Sequence, residues 1–126
     1  MSDPVDVARV ICRFDDLSDP GSRAFTLGGG DWPLQGFVVR RAGQVFAYVN
    51  RCPHAGHPLS WVKDRFLTPD DSLIVCSSHG ALYEIGTGGC VAGPCAGRGL
   101  KRIDVHVADG YVLLNDDPDT LAAANA

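Results

Sequence analysis

Of the 126 residues only one is methionine and two are tryptophan, aromatics make up 8%, and eleven basic residues face fifteen acidic ones. Each shortage excludes something. No run approaches the roughly 18 apolar residues that a membrane-spanning helix needs. A formal net charge of −4 leaves no global positive field to draw the chain to nucleic acid or anionic lipid, and it favours a basic or neutral partner face. The chain is also too short for a cofactor-binding half joined to a substrate-binding half, which excludes a multi-domain oxygenase or dehydrogenase. The opening residues, MSDPVDVARV, carry Asp3 and Asp6 where an export signal would be positive, so a soluble cytoplasmic protein is expected. No segment of supersecondary size repeats.

A sustained 3.6-residue periodicity is missing as well. What stands in its place is a series of short apolar runs divided by Gly, Pro and Asp clusters, and this predicts a mostly β fold. Val7 to Phe14 reads as a first strand, and Gly28-Gly29-Gly30 as a flexible turn. Phe37 to Arg41 follows, with Ala42-Gly43 turning the chain into Val45 to Val49, a run apolar on both faces and so expected to be a covered central strand. That run leads into Arg51-Cys52. Leu73 to Val75 is a second short strand and ends on Cys76. Ile103, Val105 and Val107 alternate with polar residues, and Asp109-Gly110 turns them into Tyr111 to Leu114. Residues 116–126, acidic and then alanine-rich, are expected to form a solvated tail.

Five cysteines, an odd number without an export signal, argue against a disulfide framework and for reduced thiols, some of them metal ligands. Two segments concentrate the chemistry: Cys52-Pro53-His54-Ala55-Gly56-His57-Pro58-Leu59 and Cys76-Ser77-Ser78-His79-Gly80-Ala81-Leu82-Tyr83. Each offers one thiolate and one imidazole at the end of a strand, so two opposed loops can close on a common centre held by Cys52, His54, Cys76 and His79. Two sulfurs and two nitrogens also describe tetrahedral zinc. Spacing weighs against it, because common zinc pairs are separated by two to five residues, whereas only Pro53 lies between Cys52 and His54.

The two segments resemble the Rieske motif, CxH followed by CxxH, and the resemblance extends from about Asn50 to Gly97. Gly80, Tyr83 and Gly93-Pro94 stand where Rieske proteins carry a close-approach glycine, an aromatic residue and a covering proline loop. The resemblance implies an antiparallel β-sandwich with a small two-loop cluster-binding subdomain at about residues 50–97, within a single domain over residues 1–115. It implies a [2Fe-2S] cluster with Cys52 and Cys76 on one iron and His54 and His79 on the other, and no catalytic residue. The function implied is one-electron transport from a flavin-containing reductase to a terminal oxygenase or other oxidoreductase. Two rival readings are a small non-catalytic subunit of a larger enzyme, similar to that of assimilatory nitrite reductase, and a zinc-stabilised structural module.

Replacing two thiolates by neutral imidazoles makes the cluster less negative, and Rieske potentials accordingly span about −150 to +300 mV against about −400 mV for plant-type ferredoxins. High-potential respiratory and photosynthetic Rieske proteins carry an extra cysteine in each loop, joined as a disulfide; the matching positions here are His57 and Ser78. They also carry a serine whose hydroxyl donates to the cluster, where this chain has Ala81. These departures place the expected potential at the low end of the range, as in ferredoxins that serve oxygenases, with Tyr83 retaining one hydrogen bond.

The remaining candidates read as structural. His57 is expected to be a solvated loop residue, His106 a surface residue on the polar side of its strand, and Cys12 a small buried hydrophobe. Cys90 and Cys95 lack the CxxC spacing of a dithiol redox motif and are expected to pack. Trp61 and Phe66, in the Ser60 to Asp71 segment between the loops, are expected in a satellite cluster in preference to a partner surface. Arg51, Lys63 and Arg65 gather positive charge near the first loop, either as ordinary solvated surface or to orient docking on an acidic partner.

Overall fold

The computed structural model describes residues 7–28, 31, 33–51, 58–59, 64–76, 80–93 and 97–124. Its centre is a four-stranded antiparallel sheet in the order β2-β3-β4-β8, formed by β2 (Gly21–Leu27), β3 (Leu34–Arg41), β4 (Gln44–Val49) and β8 (Arg102–Ile103). Side chains alternate across a strand, and here both faces are apolar. Phe37 and Val39 on β3 and Tyr48 on β4 point into one core, while Val38, Ala47 and Val49 point into another. The cross-strand pairs Phe37 with Tyr48 and Val38 with Ala47 keep each set on its own face.

A sheet apolar on both sides needs two covers. The first is a three-stranded sheet, β1-β10-β9, built from β1 (Val10–Arg13), β9 (Val105–Ala108) and β10 (Tyr111–Leu114); it places Cys12, Val112 and Leu114 against Val38 and Ala47. The second is the sheet β5-β6-β7, formed by β5 (Leu73–Val75), β6 (Leu82–Glu84) and β7 (Cys90–Ala92), which places Ile74, Tyr83 and Ile85 against Phe37 and Tyr48. Phe66 stacks on Phe37 with ring centroids 4.3 Å apart and planes 5° from parallel, so it belongs to this second core itself and not to a satellite cluster.

Both predicted hairpin turns form. Ala42 and Gly43 have φ of 52° and 75°, and Asp109 and Gly110 have φ of 54° and 81°, the two positive angles that a type I′ turn requires. Asp19 holds the first turn by accepting the N–H groups of Ala42 and Gly43, each at 2.8 Å.

Three expectations need correction. The first strand is confined to Val10–Arg13, with 3-10 turns at Val7–Arg9 and Phe14–Asp16 on either side. Phe14 leaves the strand because its ring lies 3.8 Å beneath the Arg40 guanidinium and its carbonyl accepts from Arg40. The alternating run 102–108 is two strands: Ile103 pairs with Ala47 in the central sheet and Val105 with Leu114 in the neighbouring one, so the chain changes sheets at Asp104. The 116–126 segment is not simply solvated, because Pro118–Ala124 forms a helix, α1, that buries Pro118 and Ala122. Asp117 caps it by accepting from the N–H groups of Asp119 and Thr120, and Pro118 occupies the first helical position where its missing N–H costs nothing. No helix among the described residues is long and apolar enough to cross a membrane.

The junction of β2 and β3 is tight at Gly36, where an added Cβ would lie 2.5 Å from the Phe25 ring and 3.0 Å from the Tyr48 carbonyl oxygen. Gly36→Ala is therefore expected to lower unfolding stability by about 1–3 kcal/mol through overpacking. Urea denaturation measures it, and an unchanged midpoint would show that Phe25 repacks freely.

Candidate metal centre

Two loops rise from the strand ends, and each is closed at its neck. The second is the better described. β5 delivers Cys76 to the loop entrance, where its N–H donates to the Ala81 carbonyl and its carbonyl accepts from Gly80 N–H, both at 2.9 Å. Residues 77–79, including His79, lie outside the described residues, but the two positions that bracket them are bound to each other. Gly80 has φ of +68°, a conformation that an L side chain rarely adopts. Cys76, Ala81 and Tyr83 are all fully buried, and Cys76 is not disulfide-bonded.

The end of β7 is pressed against this loop. An added Cβ at Gly93, where φ is +90°, would sit 2.8 Å from the Ala81 Cα, so only glycine lets the chain enter the 94–96 segment so close to the second loop. Pro94 itself lies outside the described residues.

The first loop springs from β4. Asn50 donates its backbone N–H to the Gln35 carbonyl at 3.0 Å, and its side-chain oxygen accepts from Leu59 N–H at 3.0 Å. Leu59 is fully buried in the core shared with Cys76 and Tyr83. One amide side chain thus fixes both ends of the loop that carries Cys52, His54 and His57, three residues outside the described set. Between the loops, Asp64 ties the segment to the edge strand β2: its carboxylate accepts from Ala24 N–H at 2.8 Å and its carbonyl from the Ser22 hydroxyl at 2.7 Å. At the other end of β5, Asp70 accepts from the hydroxyls of Thr68 and Ser72 at 2.6 and 2.7 Å, and these bonds pull its carboxyl down to about 2.

The platform beneath is locked to the central sheet by Tyr48, whose hydroxyl donates to the Ile85 carbonyl from within the core. Burial pushes that phenol up from its ordinary value. An added Cβ at Gly88 would meet the Tyr48 ring at 2.6 Å, and Gly88 accepts from Leu100 N–H at 2.8 Å. The turn after β6 is thereby fitted to one aromatic ring.

The site thus brings Cys76, Gly80, Ala81, Tyr83 and Gly93 together, as the family resemblance implied. Asn50 and Asp64 were not singled out by sequence reasoning; the only local signal is the preference of Asn and Asp for binding nearby backbone at element ends. His106 is exposed and pairs with Asn115 across its hairpin, and Cys12 is a buried thiol whose pKa burial raises, so both are structural as expected. Cys90 departs from the expectation of reduced thiols: it is disulfide-bonded, to a partner outside the described residues. An odd cysteine total bears on the whole set and leaves room for a single bond. Trp61, Lys63 and Cys95 fall outside the described residues.

Fit to a metal group can be judged on the second loop, where a buried thiol sits in a turn of short, backbone-bonded geometry flanked by two left-handed glycines. That is the environment a thiolate ligand with nearby backbone donors requires.

Comparison with known proteins gives the same answer. The model of the Rieske [2Fe-2S] domain matches residues 8–120. The ferredoxin of carbazole 1,9a-dioxygenase from Nocardioides aromaticivorans IC177 is similar in structure, with a TM-score of 0.67 and 26% identity over 90% of this chain and 97% of that one. The Sphingomonas yanoikuyae B1 ferredoxin gives a TM-score of 0.63 and 25% identity over 85% and 96%. The terminal oxygenase of the Nocardioides aromaticivorans IC177 carbazole 1,9a-dioxygenase is matched at a TM-score of 0.68 and 26% identity, over 86% of this chain and only 30% of the oxygenase. No curated protein matches at a significant level.

Asn50→Ala removes the acceptor of a buried N–H and is expected to destabilise the fold by about 1–3 kcal/mol. It should also speed iron loss to a chelator relative to the parent; equal rates would show that Asn50 does not hold the first loop. With these features and the match across nearly the whole chain, this protein belongs to the Rieske [2Fe-2S] family, and its cofactor is a [2Fe-2S] cluster.

Proposed function

We propose that this one-electron carrier binds its cluster through Cys52, His54, Cys76 and His79 and passes electrons to a terminal oxygenase. The observation that supports the ligand set most strongly is the buried Cys76 thiol, delivered by β5 into a loop whose two ends hydrogen-bond each other. When bound, a [2Fe-2S] cluster takes up and releases a single electron without needing a substrate pocket. The residues around it do the rest. The Asn50 and Cys76 clamps hold the two loops at fixed strand ends, which limits the rearrangement that a change of oxidation state demands. His54 and His79, as neutral donors in place of thiolates, make the centre easier to reduce than an all-cysteine one.

The likeness to a carbazole dioxygenase ferredoxin along 97% of its length supports the carrier reading. A flavin-containing reductase is the proposed donor, and a soluble cytoplasmic setting fits both partners. Ala81 stands where high-potential relatives have a donating serine, and no hydroxyl is available from it. The low end of the Rieske range, about −150 mV upward, is therefore the proposed potential.

Two experiments test this reading. Electron paramagnetic resonance of the dithionite-reduced protein should show a mixed nitrogen-sulfur [2Fe-2S] signal that Cys76→Ser abolishes and Cys12→Ser, altered in the opposite core, leaves intact. Retention of the parent signal by Cys76→Ser would overturn the ligand set. Ala81→Ser should shift the midpoint potential upward in protein film voltammetry, and an unchanged or lower potential with an intact cluster would show that no donor is missing there.

A further inference from the structure

The acidic total conceals a segregation of charge. Along the sequence, the three stretches 49–63, 76–83 and 85–103 hold five basic residues and no acidic one. All fifteen acidic residues and only six basic ones lie elsewhere, so these stretches carry a formal charge of +5 and the remainder −9. Among the described residues, Arg51, Arg98 and Lys101 are exposed. Backbone bonds draw them together: Val49 N–H donates to the Lys101 carbonyl at 2.9 Å, Arg51 N–H to the Val49 carbonyl at 2.8 Å, and Cys90 N–H to the Arg98 carbonyl at 3.2 Å. Segment 98–101 thus bridges the end of β4, where the first loop begins, and β7, whose end is packed on the second loop.

The acids bordering these stretches are engaged. Asp64 accepts from Ala24 N–H, and Asp104 lies 3.8 Å from Arg102, which offsets one of the five bases. Glu84, exposed at the end of β6, shares the space beside Gly86 with the Arg41 guanidinium. Beside the bases, on β7, stands Val91, 53% exposed and one of three large apolar side chains left in solvent among the described residues. Exposed Asp15, Asp16, Asp109, Asp116 and Asp117 instead line the sheet-and-helix cover on the other face of the central sheet.

We infer that the protein docks on an acidic surface of its redox partner, using Arg51, Arg98 and Lys101 around the loop end with Val91 as the apolar contact. The inference rests on the electron-carrier reading and reverses what the net charge alone suggests. A molecule so polarised is turned by an acidic partner with its loop end forward, while its far side is repelled. Such steering acts on the encounter rate and weakens with salt.

The test uses two probes of known charge. For the reduced holoprotein, the second-order rate of oxidation by ferricyanide should fall several-fold as ionic strength rises from about 10 mM to about 500 mM, because a trianion meets a positive exit despite the net −4. Lys101→Glu and Arg98→Glu should each lower the low-salt rate several-fold, whereas Arg13→Glu, the same charge change at the exposed end of β1, should alter it far less. Midpoint potentials measured on the same variants separate docking from driving force. A rate that rises with salt, or equal losses in all three variants, would overturn the inference. Fluorescein-labelled decaglutamate, followed by anisotropy, reads the same face without electron transfer: binding lost in Lys101→Glu and kept in Arg13→Glu supports it, and no salt-sensitive binding by the parent contradicts it. A protein with no reducible cluster would defeat the carrier reading instead, and the decaglutamate result would still decide the face.

Discussion

A sheet that is apolar on both faces cannot stand in water, and the rest of the molecule follows from covering β3 and β4 twice. Phe37, Val39 and Tyr48 require one cover, and Val38, Ala47 and Val49 another. The cover over the Phe37 face is the sheet β5-β6-β7, which carries the Cys76 loop, so the hydrophobic effect that closes the core also seats that loop. Tyr48 joins the two layers, filling the space above Gly88 and donating to Ile85.

Rigidity at the site comes from bonds at the loop necks. Asn50 bonds to Leu59 across the first loop and the Cys76 backbone to Gly80 and Ala81 across the second, so each loop is held at its neck. For a carrier of single electrons this is the useful property, since reorganisation on reduction is resisted by strands already buried in the core. Charge then adds direction, with a basic loop end on a chain that is acidic in sum.

Much of this was legible in the residues. Positive-φ turn chemistry at Ala42-Gly43 and Asp109-Gly110, the doubly apolar run 45–49 and the short strand before Cys76 are local signals, and all of them hold. The spacing of the cysteines and histidines carried the family. What stayed hidden was non-local. The alternation of 102–108 is continuous, so nothing local marks Asp104 as the place where the chain changes sheets. The helix Pro118–Ala124 was signalled by Asp117-Pro118, a cap followed by a first-turn proline, but its weak alanine-rich face gave little reason to dock. Asn50 and Asp64 act through partners nine and forty residues away, distances at which one sequence offers no pairing.

The central claim is that two irons are held unequally, one by sulfur and one by ring nitrogen, on a platform fixed by the core. Mössbauer spectroscopy of the dithionite-reduced, ⁵⁷Fe-enriched protein addresses it most directly. The account predicts two distinct sites in equal amount, one ferric and thiolate-bound, the other ferrous and imidazole-bound. Equivalent all-thiolate sites, or bound zinc with no iron after reconstitution, would contradict it.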